Sequence, residues 1–164
     1  MKRIGLALGA CSVIALGGAG MAGAAGGGSG DSVTGALKRG ALDSSQEQHH
    51  IVSAHDGPNG ATGTYRATYG KGKSRIEYAG RVTCVNVVGN KAKVGIVITE
   101  SNDNEARVGR YELIRFADYG TPNDGGAADA VSPAPPVDAP VSCDGPVDEF
   151  SPTFSGNLTV KDGS

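Results

Sequence analysis

The 164-residue sequence contains no apolar run long enough to cross a bilayer, almost no helical periodicity, and few of the groupings from which catalytic sites are built. Spanning about 30 Å of hydrocarbon takes roughly 20 apolar residues. The most apolar stretch, residues 4–16, is shorter and is interrupted by Gly5 and Gly9, which excludes a transmembrane span in the mature chain. There is no Gly-x-Ser-x-Gly elbow for a serine nucleophile. Gly70-Lys-Gly-Lys-Ser74 imitates a phosphate loop, but the position that must be the first glycine is Ala67, so it reads as a basic turn between strands. Histidine occurs only as His49, His50 and His55. On a strand His49 and His50 point to opposite faces, and His55 lies some ~20 Å further along, so no shared metal is expected. Asn102-Asp-Asn-Glu105 lacks the spacing and central glycine of a calcium loop and reads as a polar turn. No metal, cofactor or catalytic set is therefore expected, and the sequence does not point to an enzyme.

What is there begins with an export signal. Lys2 and Arg3 precede the apolar stretch, and Ala22-Gly23-Ala24 supplies a small-x-small cleavage site. That order describes a secretory leader over residues 1–24. Leu8-Gly9-Ala10-Cys11 offers an alternative, a lipid-anchored Cys11, although few apolar residues precede it. The expected localisation is thus secreted, with a lipid anchor at Cys11 as the other reading. The expected partner is an extracellular or envelope ligand, and no nucleic acid.

Loss of the leader removes one of the three cysteines and leaves Cys84 and Cys143. An even pair in an oxidising compartment predicts a disulfide. Such a bond would close a loop of roughly 60 residues and contribute on the order of 4 kcal/mol in the chain-entropy picture. It would also pin the segment 120–152, which holds every proline but Pro58, against the core. Loss of Lys2 and Arg3 leaves 13 basic against 17 acidic residues, unevenly spread. Residues 66–115 carry ten basic and five acidic side chains, whereas residues 116–164 carry one and eight. A basic centre before an acidic tail describes either a polyanion-binding face or an acidic loop folded over its own basic sheet. The second reading is favoured.

Strand signals dominate the remainder. Val, Ile, Thr and Tyr recur between turns rich in Gly, Asn and Asp. The clearest unit is the run 81–88, then Gly89-Asn90, then the run 91–98. A two-residue Gly-Asn connection predicts a tight hairpin. Its register places Val87 opposite Ala92, Val85 opposite Val94, and Cys84 opposite Gly95. Gly95 then leaves room for a disulfide on that face. Further strands are expected over 46–55, 62–69, 74–80, 108–118 and 154–161, the last returning beside an earlier strand. The fold class is all-β, a small antiparallel barrel or sandwich of about six to eight strands. Domain organisation reads as a leader (1–24), a flexible and disordered Gly/Ser-rich linker (25–45), and one domain (46–162) with a Pro/Gly-rich acidic loop at 120–152.

One polar grouping suggests a pocket. The segment 53–60, Ser-Ala-His-Asp-Gly-Pro-Asn-Gly, sets a histidine and an aspartate beside a rigid turn. It reads as turn chemistry, or as one lip of a ligand pocket at a barrel mouth. The candidate pocket residues are His55, Asn86 and Arg115.

Four segments carry a resemblance: Ser53-Ala-His-x-Gly-Pro-x-Gly60, Val82-Thr-Cys-Val-Asn-Val-x-Gly-Asn90, Asp118-x-Gly-x-Pro122 and Gly156-Asn-Leu-Thr-Val-x-Asp162. Together they resemble a group of small secreted proteins of actinobacterial type, although Gly63 falls earlier here than in that group. The resemblance implies export and a β fold, and it brings no catalytic residue with it. The expected function is non-enzymatic binding of a small molecule, glycan or protein. The alternatives are a small barrel enzyme with a cavity near His55, or a structural envelope protein.

Overall fold

The computed structural model describes residues 30–39, 47–103, 105–120, 128–148 and 155–163. The leader expected over 1–24 lies outside them. Among these residues eight antiparallel strands form a single sheet, curled into a half-barrel. In chain order they are β1 Ser32–Arg39, β2 Gln48–His55, β3 Thr62–Tyr69, β4 Ile76–Val88, β5 Lys91–Ser101, β6 Tyr111–Ala117, β7 Ala130–Pro133 and β8 Ser155–Lys161. From β1 to β7 each strand pairs with the next, and β8 returns beside β1. Among the described residues no helix is long and apolar enough to cross a membrane.

The β4–β5 hairpin has the expected register, with Val87 opposite Ala92, Val85 opposite Val94 and Cys84 opposite Gly95. Of its two turn residues, Gly89 alone takes a positive φ, 61°. That is the pattern of a type II′ turn, in which the first central residue alone is left-handed. One extra residue, Thr83, interrupts the ladder between Val82 and Cys84. A bulge of this kind shifts the side-chain alternation by one. Tyr78 and Val82 before it, and Val85 and Val87 after it, therefore all face the core. Cys84 and Asn86 are left on the outer face.

Two expectations need correction. The segment 25–45 is not wholly a linker, because Ser32–Arg39 is strand β1. Its sequence looked too poor in apolar residues, yet Val33 and Leu37 are both buried, and Gly35 lies directly against the backbone of Asn157 and Leu158. The segment 120–152 is not wholly a loop either, since Ala130–Pro133 is strand β7. Pro133 sits at its end, where a missing N–H does least harm to a ladder. Buried side chains from every strand make one core, with Tyr65, Phe116, Ile96, Ile98 and Ile114 the bulkiest of its almost fully enclosed apolar or aromatic members.

Candidate functional site

The three residues singled out in the sequence do not converge. His55 ends β2 on the exposed side, and its Nε2 lies 3.5 Å from Ser53 Oγ. Asn86 and Arg115 do come together. Asn86 is opposite Lys93, and Lys93 is opposite Arg115, so the three form a cross-strand row on the outer face of β4, β5 and β6.

That row is already in use. Residues 137–148 run across it as a strap. Val137 bonds Tyr111 through both backbone groups at 2.8 Å, and Cys143 is bonded to Cys84. The Lys93 ammonium donates to the carbonyls of Asp144 and Gly145 at 2.8 and 3.4 Å. The Asn86 amide donates to Gly145 O at 3.3 Å, and Arg115 pairs with Asp148 at 2.9 Å. In this half of the molecule the acidic loop folds over its own basic sheet.

The interior holds a polar cluster that the sequence did not reveal. His50 Nδ1 is hydrogen-bonded to the Tyr65 hydroxyl at 2.7 Å. The Tyr78 hydroxyl donates to Glu112 Oε1 at 2.9 Å. Tyr69 and Tyr78 stack nearly parallel, and Tyr69 meets His50 edge-on. Each of these side chains stands at an inward position of β2, β3, β4 or β6. Strand alternation could have placed His50 and Glu112 on the core side, but their polar character argued against it.

Burial governs their protonation. Glu112 is pushed up to about 7 by burial, against the opposing pull of Tyr78 and Arg107. His50 is pushed down to about 4 by burial and, secondarily, by His49. Burial also raises Tyr65, Tyr69 and Tyr78. The second oxygen of Glu112 is buried without a hydrogen-bond partner among the described residues. Each shift favours the neutral form, and below pH 7 the cluster is mainly an uncharged polar patch within a packed core. Tyr65, part of this cluster, packs edge-on against Phe116.

A cleft of about 260 Å³ opens on the outer face of β3, β4 and β5, with space for a small ligand. Its origin is local. Arg66 is opposite Ala79, and Ala79 is opposite Glu100, so a methyl side chain lies between two long charged ones. The extra residue Thr99, between the partners of Ala79 and Gly80, bends β5 just there. Glu77, Ser101 and Asn102 complete the polar lining, and Tyr78 contributes beneath.

One wall of the cleft is held in place by a network. Glu77 pairs with Arg66 at 2.7 Å and with Arg75 at 2.5 Å. Asn102 Oδ1 accepts the Glu77 N–H at 2.7 Å, while its amide donates to Arg75 O at 3.0 Å. The Glu100 side chain on the other side has no ion-pair or hydrogen-bond partner among the described residues. The arrangement offers a guanidinium and a free carboxylate across a small polar gap.

Among the described residues no three His, Cys, Asp or Glu side chains are grouped to hold a metal ion. No known protein family, curated protein or solved structure matches the chain.

Proposed function

We propose that the chain is an exported β domain that binds a small polar ligand, without transforming it, in the cleft between Arg66 and Glu100. The observation that carries this reading is the cleft itself, with about 260 Å³ of space and a wall ordered by the Arg66–Glu77–Arg75 ion pairs. Ion pairs on half-exposed side chains lower the entropic cost of fixing them at the moment of contact. The volume is just below the roughly 300 Å³ at which drug-sized pockets begin, which suits a ligand of one or two sugar rings. Arg, Glu and Asn present paired polar atoms that match neighbouring hydroxyl groups. The exported setting is supported by the leader and by the Cys84–Cys143 bond, since such bonds persist in oxidising compartments.

Calorimetric titration with a panel of mono- and disaccharides tests the reading. The account expects one sugar to bind at one site, and Arg66→Ala and Glu100→Gln each to weaken it about tenfold, the loss of one charge-assisted hydrogen bond. Unchanged affinity in both variants would remove the cleft as the site.

A further inference from the structure

We propose that the strap 137–148 is a removable acidic cover over an anion-binding row, Asn86–Lys93–Arg115, and that the ligand of the uncovered row is an anionic polysaccharide. Every polar group the row presents to the strap is a donor, and everything the strap returns is an acceptor: the carbonyls of Asp144 and Gly145, and the carboxylate of Asp148. The strap carries Asp138, Asp144 and Asp148 and neither lysine nor arginine. Of these carboxylates Asp148 reaches the row, Asp144 meets it through its backbone carbonyl, and Asp138 pairs with Arg110 beside it. Neighbouring strands lie about 4.8 Å apart, so the row spans roughly 10 Å in a straight line. That geometry suits successive anionic groups along an extended polymer. The row itself holds no aromatic ring on which a nucleic-acid base would stack, which favours a polysaccharide over single-stranded nucleic acid.

Beyond the Val137–Tyr111 backbone pair and the Arg110–Asp138 ion pair at its start, the strap is held covalently by the Cys84–Cys143 bond, in which Cys84 is part-exposed and Cys143 buried. The other ties to the row are exposed hydrogen bonds and one ion pair, which water and salt weaken. A dithiol releases the bond by ordinary exchange. Its thiolate attacks one sulfur to give a mixed disulfide, and its second thiol displaces the protein sulfur. Two electrons and two protons pass to Cys84 and Cys143, which become thiols, and the reductant leaves as its own disulfide. Pro140 and Pro146 keep the freed segment extended, so it leaves the row as a chain rather than as a folded unit.

Heparin binding by the oxidised protein and by protein treated with dithiothreitol tests the proposal, with circular dichroism to confirm that the sheet persists. Reduction is expected to tighten heparin binding about tenfold at low salt, the yield of two freed cations. The gain should fall with added salt and vanish in the Lys93→Ala/Arg115→Ala double variant. Asp148→Asn frees Arg115 with the disulfide intact and should give about threefold by itself. A folded, reduced protein with no gain would overturn the proposal, as would a gain that survives the double variant. If reduction unfolds the sheet, Asp148→Asn decides, and no gain there overturns it. Tighter binding to single-stranded DNA than to heparin would overturn the assignment of ligand class.

Discussion

Asp129 accepts the backbone N–H of Leu158 on its carboxylate at 3.0 Å, across the gap between the two ends of the sheet. Its other oxygen takes the N–H of Tyr119, also at 3.0 Å. Asp118 does the same for Val160 at 3.3 Å and Gly120 at 2.9 Å. Asp31 holds Val87 and Gly163 together in turn. Carboxylates therefore stand where a ninth strand's carbonyls would be. An open edge strand invites pairing with other chains, and these side chains occupy the N–H groups that would recruit one.

Asp129→Ala removes the acceptor for two backbone donors and should destabilise the domain by about 2–3 kcal/mol. Urea denaturation checks the magnitude. Amide exchange checks the cause, because protection should fall first at Leu158 and Tyr119. A loss spread evenly over the sheet would assign the effect elsewhere.

Gly95 lies opposite Cys84, and a Cβ built there would meet Cys84 Sγ at 2.5 Å and Val141 Cγ2 at 2.9 Å. Gly95→Ala should therefore cost about 1–3 kcal/mol, as overpacking does, and slow disulfide formation during refolding. Removing the bond itself with Cys143→Ser should cost on the order of 4 kcal/mol, since it closes a separation of 59 residues. Chemical denaturation of the two variants against the parent measures both. Gly95→Ala with unchanged stability would mean the strap does not press on this strand.

The buried pair Glu112 and His50 makes opposite contributions to the pH dependence of stability. Glu112 stays protonated in the fold up to about 7, whereas the unfolded chain releases that proton near 4.5. The folded state then holds more protons, so stability falls as pH rises from 4.5 to 7, by roughly 3 kcal/mol in total. His50 stays neutral in the fold down to about 4, whereas the unfolded chain takes up a proton near 6.5. Here the unfolded state holds more protons, so stability falls as pH drops from 6.5 to 4. Between 4.5 and 6.5 the two slopes cancel. Glu112→Gln should leave stability rising with pH from 4 to 6.5, and His50→Gln should leave it falling from 4.5 to 7. Thermal unfolding across that range reads both slopes, and parallel curves for parent and variants would refute the cancellation.

The hairpin and its disulfide were legible because Gly-Asn closure fixes register and the only two cysteines after residue 24, Cys84 and Cys143, fall on compatible positions. β1 was not, since its apolar content is Val33, Ala36 and Leu37 amid Gly, Thr and Lys, and its burial depends on β8, more than a hundred residues away. The cleft was illegible for a similar reason. Arg66, Ala79 and Glu100 become neighbours only once three strands are in register and Thr99 is bulged. Asn86 and Arg115 were found, but as anchors of the strap. That role follows from Lys93 between them and from the path of residues 137–148, neither of which periodicity reports.

The most direct test of the ligand-binding account is amide chemical-shift mapping of the 15N-labelled oxidised protein during titration with the sugar panel. The account predicts that one sugar moves the amides of Glu77, Ala79, Glu100, Ser101 and Asn102, and leaves those of His55 and Asn86 in place. Shifts centred elsewhere, or none with any sugar, would contradict it.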